Sequence, residues 1–245
     1  MKCRTLYNEK SYEEAYNCYK QAPETKMDLY MCAILSRHLK DLDAYSNYKK
    51  QLLKNYKKDP VAYEYAAILV GEQSPDYLKL LNKGLKQDDK SEALLVMKTN
   101  FYVTQQENEK ALKSANVLVD LAPKKVEYLV CRGAIHQHLE NEEKAIADFK
   151  KIIELSPKNF TANYGIGSIY FNQAADLNDQ ANATQDNELY KKLSDQATAK
   201  MKEALPFLQR AYLTNKKDEG VINALKTCYL RLGMTERYQQ LMQDY

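Results

Sequence analysis

A repeat of 34 residues constrains this chain more than any other feature. Ala111 recurs as Ala145 and Pro123 recurs as Pro157, each pair separated by that interval. In each unit a small residue sits early in a helical stretch, a bulky apolar residue follows four later, and the unit closes on Pro or a charged turn. A single unit of this size buries too little surface to fold alone, so neighbouring units must stack into an array. Such an array is a mounting surface, whose ligand is decided by a few side chains on its exposed faces and not by the fold.

Composition fits helix pairs joined by short turns. Among 245 residues there are only 7 Gly and 6 Pro, with 44% hydrophobic and 28% charged residues, and strands are not expected. The 20 Tyr against 5 Phe fall mostly at helical spacing, where a ring buries its body and keeps its hydroxyl at a wet rim. A net charge of +3 is mild and interspersed, which argues against a nucleic-acid footprint. The five cysteines (Cys3, Cys18, Cys32, Cys131 and Cys228) are odd in number and form no C-x-x-C pair, so they are expected as free, mostly buried thiols in a reducing compartment.

Seven units follow along the chain. Residues 1–22 form a partial first unit, in which Cys3 to Asn8 reads as the end of a first helix. Ser11 and Glu14 are spaced as a capping box, and Ala15, Tyr19 and Ala22 share the inner face of the second helix. Units 23–57, 58–91, 92–125 and 126–159 are helical hairpins. Pro60 suits a first helical turn, and Ser74-Pro75 opens a second helix. Gly133 costs about 1 kcal/mol relative to Ala in a helix interior, so it marks a close approach of the partner helix, placed here opposite the equally small Ala145.

The unit at 160–217 breaks the period. Ile166, Gly167 and Tyr170 belong to its first helix, but Ala204, Leu208 and Ala211 of the second come about 25 residues late. The stripe Ala174, Leu177 and Ala181 answers Leu189, Leu193, Ala197 and Met201, so both helices are extended into a hairpin projecting over 173–203, closed by a turn at Thr184-Gln185-Asp186-Asn187. Pro206 is expected to kink the second helix. Residues 218–245 complete the array.

Gly133, Ala145, Phe149 and Pro157, echoed by Ala111, Pro123, Gly167 and Ala211, carry a resemblance to tetratricopeptide-repeat proteins over nearly the whole chain. The small residue is replaced by Met31, Tyr65, Thr99 or Lys226 in other units, and the family's aromatic near the start of the first helix is absent. The C-terminal third, with Ala204-Leu205-Pro206-Phe207-Leu208, is similar to uncharacterised bacterial members, many of them exported. The resemblance implies an all-α, right-handed α-solenoid of about seven hairpins, the sixth with extended helices, forming a single domain over 1–245.

The resemblance also implies that first helices line a concave groove. Its face would hold Ala62, Ala66 and Val70, then Val96, Val130 and Ala134, with Asn100, Thr104, His138, Tyr164, Ser168, Asn172, Asn223, Thr227 and Arg231 as candidate partner contacts. The three Asn amides can hydrogen-bond an extended backbone, and Tyr164 can anchor it. The basic set with which some relatives clamp acidic chaperone tails is missing. His136 and His138 point about 200° apart on a helix and cannot share a metal; His136 is assigned to the core.

No nucleophile–base set or phosphate loop is legible, so the chain is read as a non-catalytic protein-interaction scaffold with no cofactor and no metal site. A homo-oligomerising assembly module is the alternative, and an RNA-binding solenoid a third class. No apolar run is long enough for a membrane span. A cytoplasmic chain is expected, or a periplasmic one if an export signal precedes Met1.

Overall fold

The computed structural model describes residues 2–21 and 23–244; Ala22, expected on the inner face of the second helix, lies outside them. Among the described residues there are fourteen helices and no strand. In chain order these are α1 (Lys2–Asn8), α2 (Tyr12–Lys20), α3 (Lys26–His38), α4 (Leu42–Asn55), α5 (Pro60–Val70), α6 (Tyr77–Leu85) and α7 (Glu92–Thr104). They continue as α8 (Asn108–Leu121), α9 (Val126–His138), α10 (Glu142–Leu155), α11 (Phe160–Ala183), α12 (Asn187–Thr214), α13 (Glu219–Arg231) and α14 (Thr235–Asp244). The chain forms two compact units, Met1–Leu118 and Val119–Tyr245, with α8 running from one into the other.

In the first unit, acidic and hydroxyl caps start the helices. Thr25 Oγ1 accepts from the Asp28 N–H at 3.1 Å while Asp28 returns a bond to the Thr25 N–H at 2.9 Å, a complete capping box. Ser11 occupies the N-cap of α2 but its side chain makes no cap bond, so the box expected there is found at Thr25 instead. Asp59 caps α5 through the Val61 N–H at 2.9 Å, followed by Pro60 at the first helical position. α6 opens at Tyr77, slightly beyond Ser74-Pro75.

These caps shift the register. α5 begins at Pro60, only 32 residues before α7 begins at Glu92, so the third unit is shorter than the repeat. Ala33 and Ala67, both fully buried, therefore occupy the small positions that the sequence reading gave to Met31 and Tyr65. Ala62 and Ala66 are likewise buried and belong to the core, not to a groove face. Leu29, Ala33, Leu52, Ala62 and Leu69 form one apolar cluster; Ala66, Ala67, Tyr77, Leu80, Leu81 and Leu94 form the next.

Tyrosines close the turns as their amphipathic shape suggests. The hydroxyls of Tyr45, Tyr56 and Tyr63 donate to the carbonyls of Leu69, Glu24 and Lys57 at 2.9, 3.0 and 2.8 Å. Arg37 adds a second bond to the Leu69 carbonyl at 2.9 Å, satisfying the end of α5 where Gly71 turns the chain at φ +78.

One expectation about the thiols fails. Cys3 and Cys18 form a disulfide, their Cα atoms 5.5 Å apart, because the short antiparallel pair α1–α2 brings the two helices together. Counting cysteines along the chain cannot see a pairing made across a helix hairpin. Cys32, Cys131 and Cys228 are free, and burial pushes the Cys32 thiol up to about 12 and the Cys228 thiol up to about 11. The reducing-compartment expectation rested on five free thiols and loses that support.

In the second unit, Phe149 is fully buried between two glycines on flanking helices. A Cβ on Gly133 would meet Phe149 Cε1 at 2.7 Å, and one on Gly165 would meet Cε2 at 2.5 Å. Gly133 does mark a close approach, but it receives the Phe149 ring and does not simply face Ala145. The extension of the sixth hairpin is present: α11 has 24 residues where α9 has 13, which adds roughly 16 Å at about 1.5 Å per residue. α12 runs 28 residues through Pro206 as one helix. The seam of the hairpin is alanine, with Ala174, Ala181 and Ala197 buried beside Met201, whereas Leu189 is 42% exposed.

Candidate functional site

In the second unit the candidate contacts lie on α9, α11 and α13. The cap bonds from Asn159 to the Ala162 N–H and from Asp218 to the Val221 N–H, both 2.9 Å, fix where α11 and α13 begin and hence which side chains face outward. Asn172, Asn223, Arg231 and His138 are exposed, and Ser168 and Thr227 are half-buried. The Ser168 and Thr227 hydroxyls donate back to the carbonyls of Gly165 and Asn223, each at 3.0 Å, so their donors are committed to their own helices.

Tyr164 is less free than an anchor would be. Its ring stacks on Phe160 with centroids 5.7 Å apart and packs against the core cluster around Val221 and Leu225. A Cβ on Gly220 would stand 2.6 Å from the Tyr164 hydroxyl, so the start of α13 is built around this ring. Asn172 and Asn223 remain: among the described residues neither amide makes a side-chain hydrogen bond. Each offers donors and an acceptor to an incoming backbone.

In the first unit, Asn100 and Thr104 are exposed on α7, with Thr104 bonded to the Asn100 carbonyl at 2.9 Å. The corrected register of α5 turns Ile68, 45% exposed, outward, and leaves the Glu64 carboxyl half-buried, its pKa raised chiefly by burial. Tyr30 and Tyr65 stack nearby with centroids 4.4 Å apart. Ile68, Glu64, Tyr30 and Tyr65 are not among the contact candidates read from the sequence, although the Asp59-Pro60 start signal was legible.

His136 lies in the core, 5% exposed, and burial lowers its pKa against a partial opposing pull from Asp148. Beside it Arg132 grips Asp148 with two bonds of 2.8 and 2.7 Å, a forked pair joining α9 to α10. No helix among the described residues is long and apolar enough to cross a membrane.

Paired antiparallel helices, small residues at the contact and a 34-residue register define a tetratricopeptide-repeat protein. Residues 4–218 match the profile of the ChAPs, the Chs5p-Arf1p-binding proteins, and the chain belongs to that family. A curated relative, the DnaJ homolog subfamily C member 7 homolog of Schizosaccharomyces pombe, is 27% identical over 227 residues; the match covers 82% of this chain and 46% of the relative, so the chain spans about half the length of that protein. Among solved structures, YrrB, a tetratricopeptide-repeat protein with an unusual peptide-binding site, superposes with a TM-score of 0.59 at 17% identity, covering 86% of this chain and 96% of its own. The C-terminal part of a repeat protein from Cytophaga hutchinsonii gives 0.58 at 12% identity, covering 93% of both chains. These likenesses establish the fold.

Proposed function

We propose that the chain is a non-catalytic scaffold that takes a peptide or protein partner on the outward side of its first helices, with the α11–α12 hairpin adding contacts. The observation that carries this reading is the pair Asn172 and Asn223, exposed amides on the first helices α11 and α13, neither of them in a side-chain hydrogen bond among the described residues. Arg231 supplies a cation on the same helix as Asn223, suited to an acidic or carboxylate-bearing segment. On the hairpin, Leu189 and Tyr190 are 42% and 48% exposed close to the α11–α12 turn, an apolar contact that the seam does not use. Membership of a family named for binding two other proteins supports a protein as the ligand.

Site-specific photo-crosslinking tests the proposal in the native cell. A crosslinking residue at position 172 or 223 is expected to yield the same adduct, and one at the exposed Lys150 of α10 is expected to yield none. An adduct formed from position 150 and absent from 172 and 223 would place the partner elsewhere. An adduct of twice the chain's mass would make it a second copy.

A further inference from the structure

The repeat supplies its own control for a second site. The hairpins α7–α8 and α9–α10 have the same lengths, 13 and 14 residues, and all their bounds differ by 34. Arg132 on α9 corresponds to Lys98 on α7, and Asp148 on α10 corresponds to Ser114 on α8. In the later hairpin the cation and carboxylate are paired and nearly buried. In the earlier one the carboxylate is gone. The Ser114 hydroxyl is occupied with Thr99, at 2.8 Å, and with the Ala111 carbonyl at 3.1 Å.

Among the described residues, Lys98 is left half-buried with only the neutral Asn82 side-chain oxygen, at 2.8 Å, as a partner. Burial lowers its pKa, with no carboxylate acting to raise it. A half-buried cation without an anion carries a desolvation cost that a carboxylate arriving from outside would offset. Space for one exists: a cavity of about 440 Å³ lies between α6, α7 and α8, with Leu85, Leu95 and Val117 as apolar wall. Lys113 is exposed on its rim. Lys110 also lines the cavity but is ion-paired with Glu107 and lies over the Tyr102 ring, 5.6 Å from its centroid. Asp89 is the one acidic group in the lining, and it stands against three lysines. Residues two apart on a helix point about 200° from each other, so this cavity lies on the side of α7 away from Asn100.

We infer that the α6–α7–α8 cavity is a docking site for an acidic segment of a partner protein, which sets a Glu or Asp carboxylate on Lys98 and a neighbouring apolar side chain against Leu85, Leu95 and Val117. The missing Asp148 equivalent is supplied in trans. The cavity is larger than one carboxylate requires, and its apolar wall favours a side chain beside the charge over a bare ion. The site is independent of the outward faces of the first helices, so either can fail without the other.

Calorimetric titration of the full chain with acetyl-Leu-Glu-Glu-Leu-amide tests this, with acetyl-Leu-Gln-Gln-Leu-amide and inorganic phosphate as comparison ligands. The Glu peptide is expected to bind about tenfold or more tightly than the Gln peptide, the worth of a charge-assisted hydrogen bond. K98M removes the cation and keeps the stem, and S114D restores the internal carboxylate; each is expected to weaken the Glu peptide by about tenfold or more, while S114D keeps or raises the melting temperature. Because the two variants act on opposite partners, one remains informative if the other folds poorly. Equal binding by wild type and a folded S114D or K98M, or no heat from the Glu peptide at millimolar concentration, overturns the site. Phosphate binding as tightly as the peptide in a K98M-sensitive manner also overturns it, since the ligand would then be a free anion.

Discussion

Phe149 and its two glycines allow a sharp test of how the second unit is packed. The ring is fully buried, and the added methyl of G133A would meet its δ1–ε1 edge while that of G165A would meet its δ2–ε2 edge. Contacts of 2.7 and 2.5 Å fall about 1 Å short of ordinary carbon–carbon separation. In either single variant the ring can yield only toward the other glycine, whose backbone it already approaches closely. Overpacking of this kind costs about 1–3 kcal/mol, and the helix propensity gained on replacing Gly returns about 1 kcal/mol, so each single variant is expected to lose up to about 2 kcal/mol. In the F149L background the ring edges are gone and only the propensity gain remains, so the same substitutions should become neutral or stabilising by up to about 1 kcal/mol. The coupling equals the overpacking term, about 1–3 kcal/mol, within the range for residues in contact. Urea unfolding followed by circular dichroism, with hydrogen exchange across 129–170 to confirm that the loss is local, measures the cycle. If G133A and G165A cost the same with Phe149 as with F149L, the two glycines are not the walls of this slot.

Two further outcomes follow from single groups. Alkylation of the denatured, unreduced chain should modify three cysteines and mass spectrometry after reduction should find all five, because Cys3 and Cys18 are bonded; α1 buries no residue of its own, so reduction should raise amide exchange over 2–20, by loss of a bridge worth about 3 kcal/mol for a loop of 15 residues. His136 is buried neutral with its folded pKa below the usual 6.5 or so, so the unfolded chain binds the proton first and stability falls as pH drops below about 6.5; H136Y, which installs the residue found 34 positions away at Tyr102 and Tyr170, should flatten the melting temperature between pH 7.5 and 5.5, and an unchanged slope would show that other groups carry it.

The period, the buried small residues of the later repeats and the extended sixth hairpin were legible because each leaves a trace at fixed spacing along the chain. Ala111, Ala145 and Ala211 are all fully buried. The register of the third unit was not, because α6 has only 9 residues and the unit loses two positions where a 34-residue template expects none. The start signal Asp59-Pro60 outweighs periodicity there, since a capped first turn fixes the helix phase while the average spacing does not. At the candidate site, exposure of Asn100, Asn172 and Asn223 could be read from helix phase alone. The commitment of Ser168, Thr104 and Thr227 to their own carbonyls, and of Tyr164 to the start of α13, depends on distances that spacing cannot supply.

A repeat chain measures the same position several times, and its departures sort by whether a neighbour compensates. At the small position Gly133 is matched by a Phe149 ring that fills the vacated space, and Thr99 is matched by Ser114, which binds its hydroxyl. Arg132 is matched by Asp148. Each exchange closes within its hairpin, so packing and hydrogen bonding account for it and no ligand is required. Lys98 differs from these: the exchange that gave Thr99 its serine removed the carboxylate from the one position that serves the cation at this point in the next hairpin. Stability alone would favour an apolar residue or a restored acid at such a place. A half-buried ammonium beside an open, apolar-walled cavity is the place where the acidic partner segment inferred above would supply the missing charge.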